Sequence, residues 1–196
     1  MKKRLHLIIV SYPSRLDATL EEIAHTLARG ATDDRVVERA QDASDVRYLV
    51  RLWHFRDREV RTIDLVGHGS SGQFKLGDEL LFGSDGTGLH WLDEWRPYLS
   101  EQVTLRLLGC SVGGRGSNAS AGRTLLKQLD ARLGGRRRVL APTRALMSID
   151  YETGGLSARA RRSLAGSTTP RRTHGRTAKQ RQQQQRQAQG NHPARR

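Results

Sequence analysis

The chain contains a single cysteine, Cys110. A lone thiol excludes an internal disulfide and any multi-cysteine metal centre, and it suits a reducing compartment such as the cytoplasm. No stretch approaches the roughly 20 apolar residues that a membrane helix needs. The basic start Met1-Lys2-Lys3-Arg4 ahead of Leu7-Ile8-Ile9-Val10 resembles a secretory leader. Its apolar run is too short, and Ser11-Tyr12-Pro13 ends it without a small-residue cleavage site, so a buried first strand is the better reading. Acidic side chains are missing from residues 156–196, which carry 11 Lys and Arg. Residues 1–155 hold 23 basic and 20 acidic side chains, so most of the net charge of +14 belongs to the tail. The tail is also short of apolar residues: Pro170-Arg171-Arg172-Thr173-His174-Gly175-Arg176 is followed by seven Gln between Gln180 and Gln189. Such a segment buries too little surface to offset its ordering entropy. The sequence therefore predicts a folded domain over residues 1–155, a basic tail over 156–196, and disorder from about Ser163. Without interleaved aromatics the tail offers only weak, charge-driven binding of nucleic acid or an anionic surface.

What is present in the body is alternation. Residues 5–11 form a compact apolar run of strand length. Residues 17–29 predict an amphipathic helix, with Leu20, Ile23, Ala24 and Leu27 on one face and capping-box spacing at Thr19 and Glu22. A short strand over 35–40 precedes a helix over 44–55 behind a Ser cap, with Val46, Leu49, Val50 and Trp53 at helical spacing. A third strand over 60–66 runs into Gly67-His68-Gly69-Ser70-Ser71-Gly72. Residues 74–82 predict a hairpin turning near Gly77-Asp78, and 89–99 a short helix that Pro97 kinks or ends. A fourth strand over 103–108 runs into Gly109-Cys110-Ser111-Val112-Gly113-Gly114. A helix over 119–133 and a fifth strand over 138–141 follow. Strands alternating with helices imply a mostly parallel sheet covered on both faces, with ligands bound beyond the carboxyl ends of the strands.

Both glycine-flanked loops, at His68 and at Cys110, leave such strand ends. A thiol with its ordinary pKa near 8.5 is only slightly ionised at pH 7, and the thiolate is the nucleophile. A neighbouring imidazole takes the proton and returns it to the leaving amine. Acyl transfer also needs donors for the oxyanion, and backbone N–H groups in tight glycine loops supply them. Taken singly, a cysteine at a strand end is usually a small core residue. Together the two loops point to a Cys–His pair. Gly116 through Thr124 is no phosphate loop, having one residue too many and Arg where Lys is required. The tryptophans Trp53, Trp91 and Trp95 read as packing, His25, His54 and His90 as helix surface, and Arg15, Asp64 and Asp85 as ordinary rim surface.

Residues Thr62-Ile63-Asp64-Leu65-Val66-Gly67-His68-Gly69 and Leu105-Arg106-Leu107-Leu108-Gly109-Cys110 resemble the strand-plus-His-Gly and strand-plus-Cys elements of caspase-like cysteine peptidases. With Lys75-Leu76-Gly77 and Ser111-Val112, the pattern is most similar to the bacterial caspase-like domain of large surface adhesins, over about residues 5–146. The resemblance implies an α/β caspase-like three-layer sandwich. It also implies a cysteine-type endopeptidase acting on polypeptides: Cys110 as nucleophile, His68 as general base and acid, and the N–H groups of Gly69 and Cys110 as oxyanion hole. No cofactor or metal is called for. The chain lacks the Q-A-C-[RQG]-G pentapeptide of animal caspases. Leu108-Gly109 replaces the acidic residue that precedes the cysteine in metacaspases, so no preference for basic substrates carries over. The alternative is a catalytically silent module of the same fold whose basic tail binds anionic partners.

Overall fold

The computed structural model describes residues 2–134 and 136–166. In chain order the elements are β1 (Lys3–Ser11), α1 (Ala18–Ala28), β2 (Arg35–Ala40), α2 (Ala43–Phe55), β3 (Arg58–Val66), β4 (His68–Ser70), β5 (Gln73–Leu76), β6 (Glu79–Gly83) and α3 (His90–Trp95). They continue with β7 (Thr104–Leu108), α4 (Ala119–Leu133), β8 (Arg138–Pro142), β9 (Tyr151–Glu152), β10 (Gly155–Leu156), α5 (Ala158–Arg161) and β11 (Leu164–Gly166). Six strands form one sheet in the order β11-β8-β7-β3-β1-β2. All neighbours in it are parallel except the edge pair β11–β8.

Strand alternation distributes the core between two faces. Leu5, Leu7 and Ile9 of β1 join Ile63, Leu65, Leu105 and Leu107 against α2, α3, α4 and the β5–β6 hairpin. Ile8 and Val10 join Val66 and Leu108 against α1, Leu146, Tyr151, Leu156 and Ala160. A strand buried on both sides needs apolar residues at odd and even positions, which is why β1 reads as a continuous run. The result is a three-layer α/β sandwich with a mostly parallel central sheet. Trp95 is fully buried and stacks edge-on to Phe82 at 5.8 Å, while Trp53 and Trp91 pack at the core margin. Among the described residues, no helix is long and apolar enough to cross a membrane.

Three local expectations need correction. The cap of α1 is Asp17, whose carboxylate accepts the Leu20 N–H at 2.9 Å, and not Thr19. The cap of α2 is Asp42, which accepts from Ser44 and Asp45, and not Ser44 itself. In both cases a carboxylate two residues upstream reaches the exposed N–H groups first and favours the positive end of the helix. As expected, Pro97 ends α3 early: the segment after Trp95 tightens to a 3₁₀ turn over Arg96–Tyr98, because Pro97 lacks an N–H to continue the helix. The domain does not stop at residue 155. Leu156 and Ala160 are buried in the core, and Leu164, Ala165 and Gly166 pair antiparallel with Pro142, Ala141 and Leu140. An edge strand needs little apolar character when its backbone is satisfied by a neighbour, so Leu164-Ala165-Gly166 carried no strand signal. The expected disorder from Ser163 thus fails for residues 163–166, and residues 167–196 lie outside the described part.

Candidate functional site

The site follows from strand register. In the parallel pair β3–β7, Val66 stands opposite Leu108. Adjacent strands lie about 4.8 Å apart. His68 and Cys110 each sit two residues beyond that rung, so both leave the same end of the sheet on neighbouring loops. The loops touch. A Cβ on Gly109 would fall 2.9 Å from the His68 carbonyl oxygen, and one on Gly69 would fall 2.4 Å from Cγ2 of the buried Val112. Only glycine permits this approach. The Gly72 N–H donates to the Val112 carbonyl at 3.1 Å and ties the end of the histidine hairpin to the cysteine loop. The hairpin of β4 and β5, with His68 opposite Lys75 and Gly69 opposite Phe74, is anchored by buried Phe74 and Phe82.

His68 has a side-chain partner that the sequence did not reveal. Its Nε2 lies 2.7 Å from Oδ2 of Asp17, which arrives from the loop between β1 and α1. The imidazole is half-exposed and the carboxylate largely covered. Asp17 divides its oxygens, Oδ1 capping α1 and Oδ2 meeting the histidine. Burial alone would raise its pKa, but the Leu20 N–H and His68 outweigh it and hold the carboxyl below its ordinary value. A carboxylate on Nε2 fixes the neutral ring with its proton there and its lone pair on Nδ1. The only sequence signal was an Asp in the loop after the first strand, and it reads equally well as a helix cap.

Cys110 is partly buried, and its thiol donates to the Leu146 carbonyl at 3.5 Å. Ser111 adopts φ 55°, a left-handed conformation unusual for a residue with a side chain. That turn sends the Ser111 N–H to the Arg144 carbonyl at 2.9 Å. Asp150, 4% exposed, fixes the facing segment. It accepts from the Arg144 guanidinium on both oxygens and from the Met147 N–H at 3.0 Å. The hydrogen bonds from Arg144 hold its carboxyl below the usual range. Among the described residues, the Cys110 N–H meets no protein acceptor. A pocket of about 320 Å³ beside His68 is lined by His68, Gly69, Ser70, Gln73 and Lys75; Cys110 is not part of its wall.

Of the residues read as rim surface, Asp85 accepts the Thr87 N–H in an exposed turn, as expected. Asp64 is corrected: it lies inside β3, 1% exposed, held by the Arg106 guanidinium and by His6 at 3.0 Å. An isolated buried carboxylate is too costly to ionise without such partners, and both come from neighbouring strands.

Among solved structures, one titled "Crystal structure of a small-chain dehydrogenase" is 15% identical, with a TM-score of 0.35, over 67% of this chain and 77% of that one. No curated protein matches. A family model described as a domain of unknown function, DUF4347, matches residues 16–146. That span starts beside Asp17, contains both glycine-flanked loops, and ends at the residue whose carbonyl receives the Cys110 thiol. It covers more than half of the chain, which therefore belongs to the DUF4347 family.

Proposed function

We propose that this domain is a caspase-like cysteine endopeptidase in which Cys110 is the nucleophile, His68 the base and acid, and Asp17 the residue that positions His68. The observation that carries the reading is the register of β3 against β7, which sets the two loops side by side, with a carboxylate on Nε2 of the histidine. On substrate binding, the thiol releases the Leu146 carbonyl and passes its proton to Nδ1 of His68. The sulfur then attacks the peptide carbonyl carbon. The oxyanion is held by the N–H groups of Gly69 and Cys110, where one donor is worth on the order of 3 kcal/mol of barrier. His68 returns the proton to the leaving amine, and the C–N bond breaks to leave a thioester. Water, deprotonated by His68, hydrolyses the thioester and restores the thiol. The single free thiol suits a reducing compartment such as the cytoplasm.

Peptide acyloxymethylketones covering Asp, Asn, Arg and Lys at P1 test this reading. Wild type is expected to be alkylated on Cys110 by at least one of them, with the Cys110→Ser variant spared and nearly inactive. A broad P1 library without turnover, together with an unmodified Cys110 across pH and ion conditions, would overturn the peptidase reading. The second reading, a catalytically silent interaction module, draws support from the pocket beside His68, whose wall does not include Cys110. Under that reading the Cys110→Ala variant keeps the cellular function of the wild type.

A further inference from the structure

We infer that the α1-side face of the central sheet carries a binding site for a small phosphate-bearing molecule, separate from the loops of His68 and Cys110. The face is apolar where α1, Leu146, Tyr151, Leu156 and Ala160 cover it. Toward the N-terminal ends of the strands, one row of aligned side-chain positions runs Arg35, His6, Thr62, Thr104 and Arg138 across β2, β1, β3, β7 and β8. Every member of that row is polar, in the sheet of a sandwich where this face would ordinarily be packed with aliphatic residues. The row above it reads Ile8, Asp64, Arg106 and Leu140. A cavity of about 410 Å³ opens over these rows, bounded by His6, Arg35, Thr62, Thr104 and Arg106 on the sheet and by Arg161 from α5. Leu140 and Leu156 supply apolar wall, and no carboxylate lines it.

The charge is unbalanced toward anions. Asp64 lies beneath the floor and is bonded to both Arg106 and His6. It offsets one guanidinium and orients it. Arg35 directs a terminal nitrogen to the Gly30 and Thr153 carbonyls, while its buried Nε finds no partner. Arg161 is exposed at the rim. Three guanidinium groups, an imidazole and two hydroxyls around one space form a set of donors suited to a tetrahedral oxyanion with several acceptor oxygens. The volume exceeds that of phosphate alone, so the leucine wall is left for a small organic group.

Calorimetric titration of the 196-residue chain at near-physiological salt tests the assignment, with inorganic phosphate, pyrophosphate and phenyl phosphate as probes. Saturable one-site binding of at least one probe is expected. Arg161→Ala should weaken it at least about tenfold, the loss of one charge-assisted hydrogen bond. Thr104→Val, which keeps the shape of the side chain, should weaken it several-fold. Arg138→Ala, in the same row but outside the cavity, should bind within about twofold of wild type, as should Cys110→Ala. Absence of saturable binding by wild type overturns the inference. So does binding that Arg161→Ala and Thr104→Val leave unchanged, which would assign the anion to the basic chain beyond residue 166.

Discussion

Asp17 holds two structures at once, and its two oxygens can be separated by substitution. Oδ1 accepts the Leu20 N–H as the cap of α1, and Oδ2 meets Nε2 of His68. Asparagine caps helices about as well as aspartate, so Asp17→Asn keeps the cap with its one oxygen and replaces the acceptor beside the imidazole by an uncharged NH2 donor. With His68 half-exposed, that pair is worth at most about 1 kcal/mol of stability. Asp17→Ala loses the cap as well, a further ~1 kcal/mol. For a domain of this size, Asp17→Ala should therefore melt about 2–4 °C below Asp17→Asn. Reactivity should divide differently. If the carboxylate fixes the tautomer that leaves Nδ1 free toward the thiol, both variants should show similarly slowed alkylation of Cys110 by iodoacetamide near neutral pH. Any turnover should fall in kcat far more than in KM, and Asp17→Glu should restore part of it. Calorimetry and timed mass spectrometry read the two effects independently. Equal melting temperatures for Asn and Ala would refute the cap. Wild-type alkylation in Asp17→Asn would refute the role assigned at His68.

Replacing His68 with Ala should slow iodoacetamide labelling of native Cys110, and equal rates would count against activation of the thiol. Asp64→Ala leaves Arg106 without its counter-charge inside the sheet and should cost about 3–5 kcal/mol in urea unfolding. Burial by itself would raise the pKa of Asp64, but the hydrogen bond from His6 and the charge of Arg106 hold it below the ordinary value. Its contribution to stability is present above the unfolded-state pKa of about 4 and is lost as pH falls through the lower folded value. Stability of Asp64→Asn should consequently fall less steeply than that of wild type below about pH 4. Gly122 of α4 faces the cysteine loop so closely that a Cβ would lie 2.2 Å from Gly113 C and Gly114 N. Gly122→Ala should cost about 1–3 kcal/mol by chemical denaturation and alter the alkylation rate of Cys110; a neutral result would show that the loop yields freely.

The periodicity of the chain determined the alternation of strands and helices, because burial on two faces of a parallel strand and on one face of a helix leaves different apolar spacings. It also placed Gly67-His68-Gly69 and Gly109-Cys110 at strand ends, where glycine and a polar residue interrupt an apolar run. Register, by contrast, is a property of two strands together. Only the pairing of Val66 with Leu108 brings the two loops level. Asp17 reads locally as a helix cap, and nothing within the loop between β1 and α1 says that its second oxygen meets a side chain 51 residues away. Asp64 reads as surface because charge is usually solvated; its partners stand on β1 and β7, 58 and 42 residues distant, and only the assembled sheet makes it a buried ion. The last strand, Leu164-Ala165-Gly166, is too short and too small to carry a pattern, and the free edge of β8 decided its place. Local propensity and patterning thus fixed the elements, while the cooperative packing of strands from distant parts of the chain decided which polar groups meet.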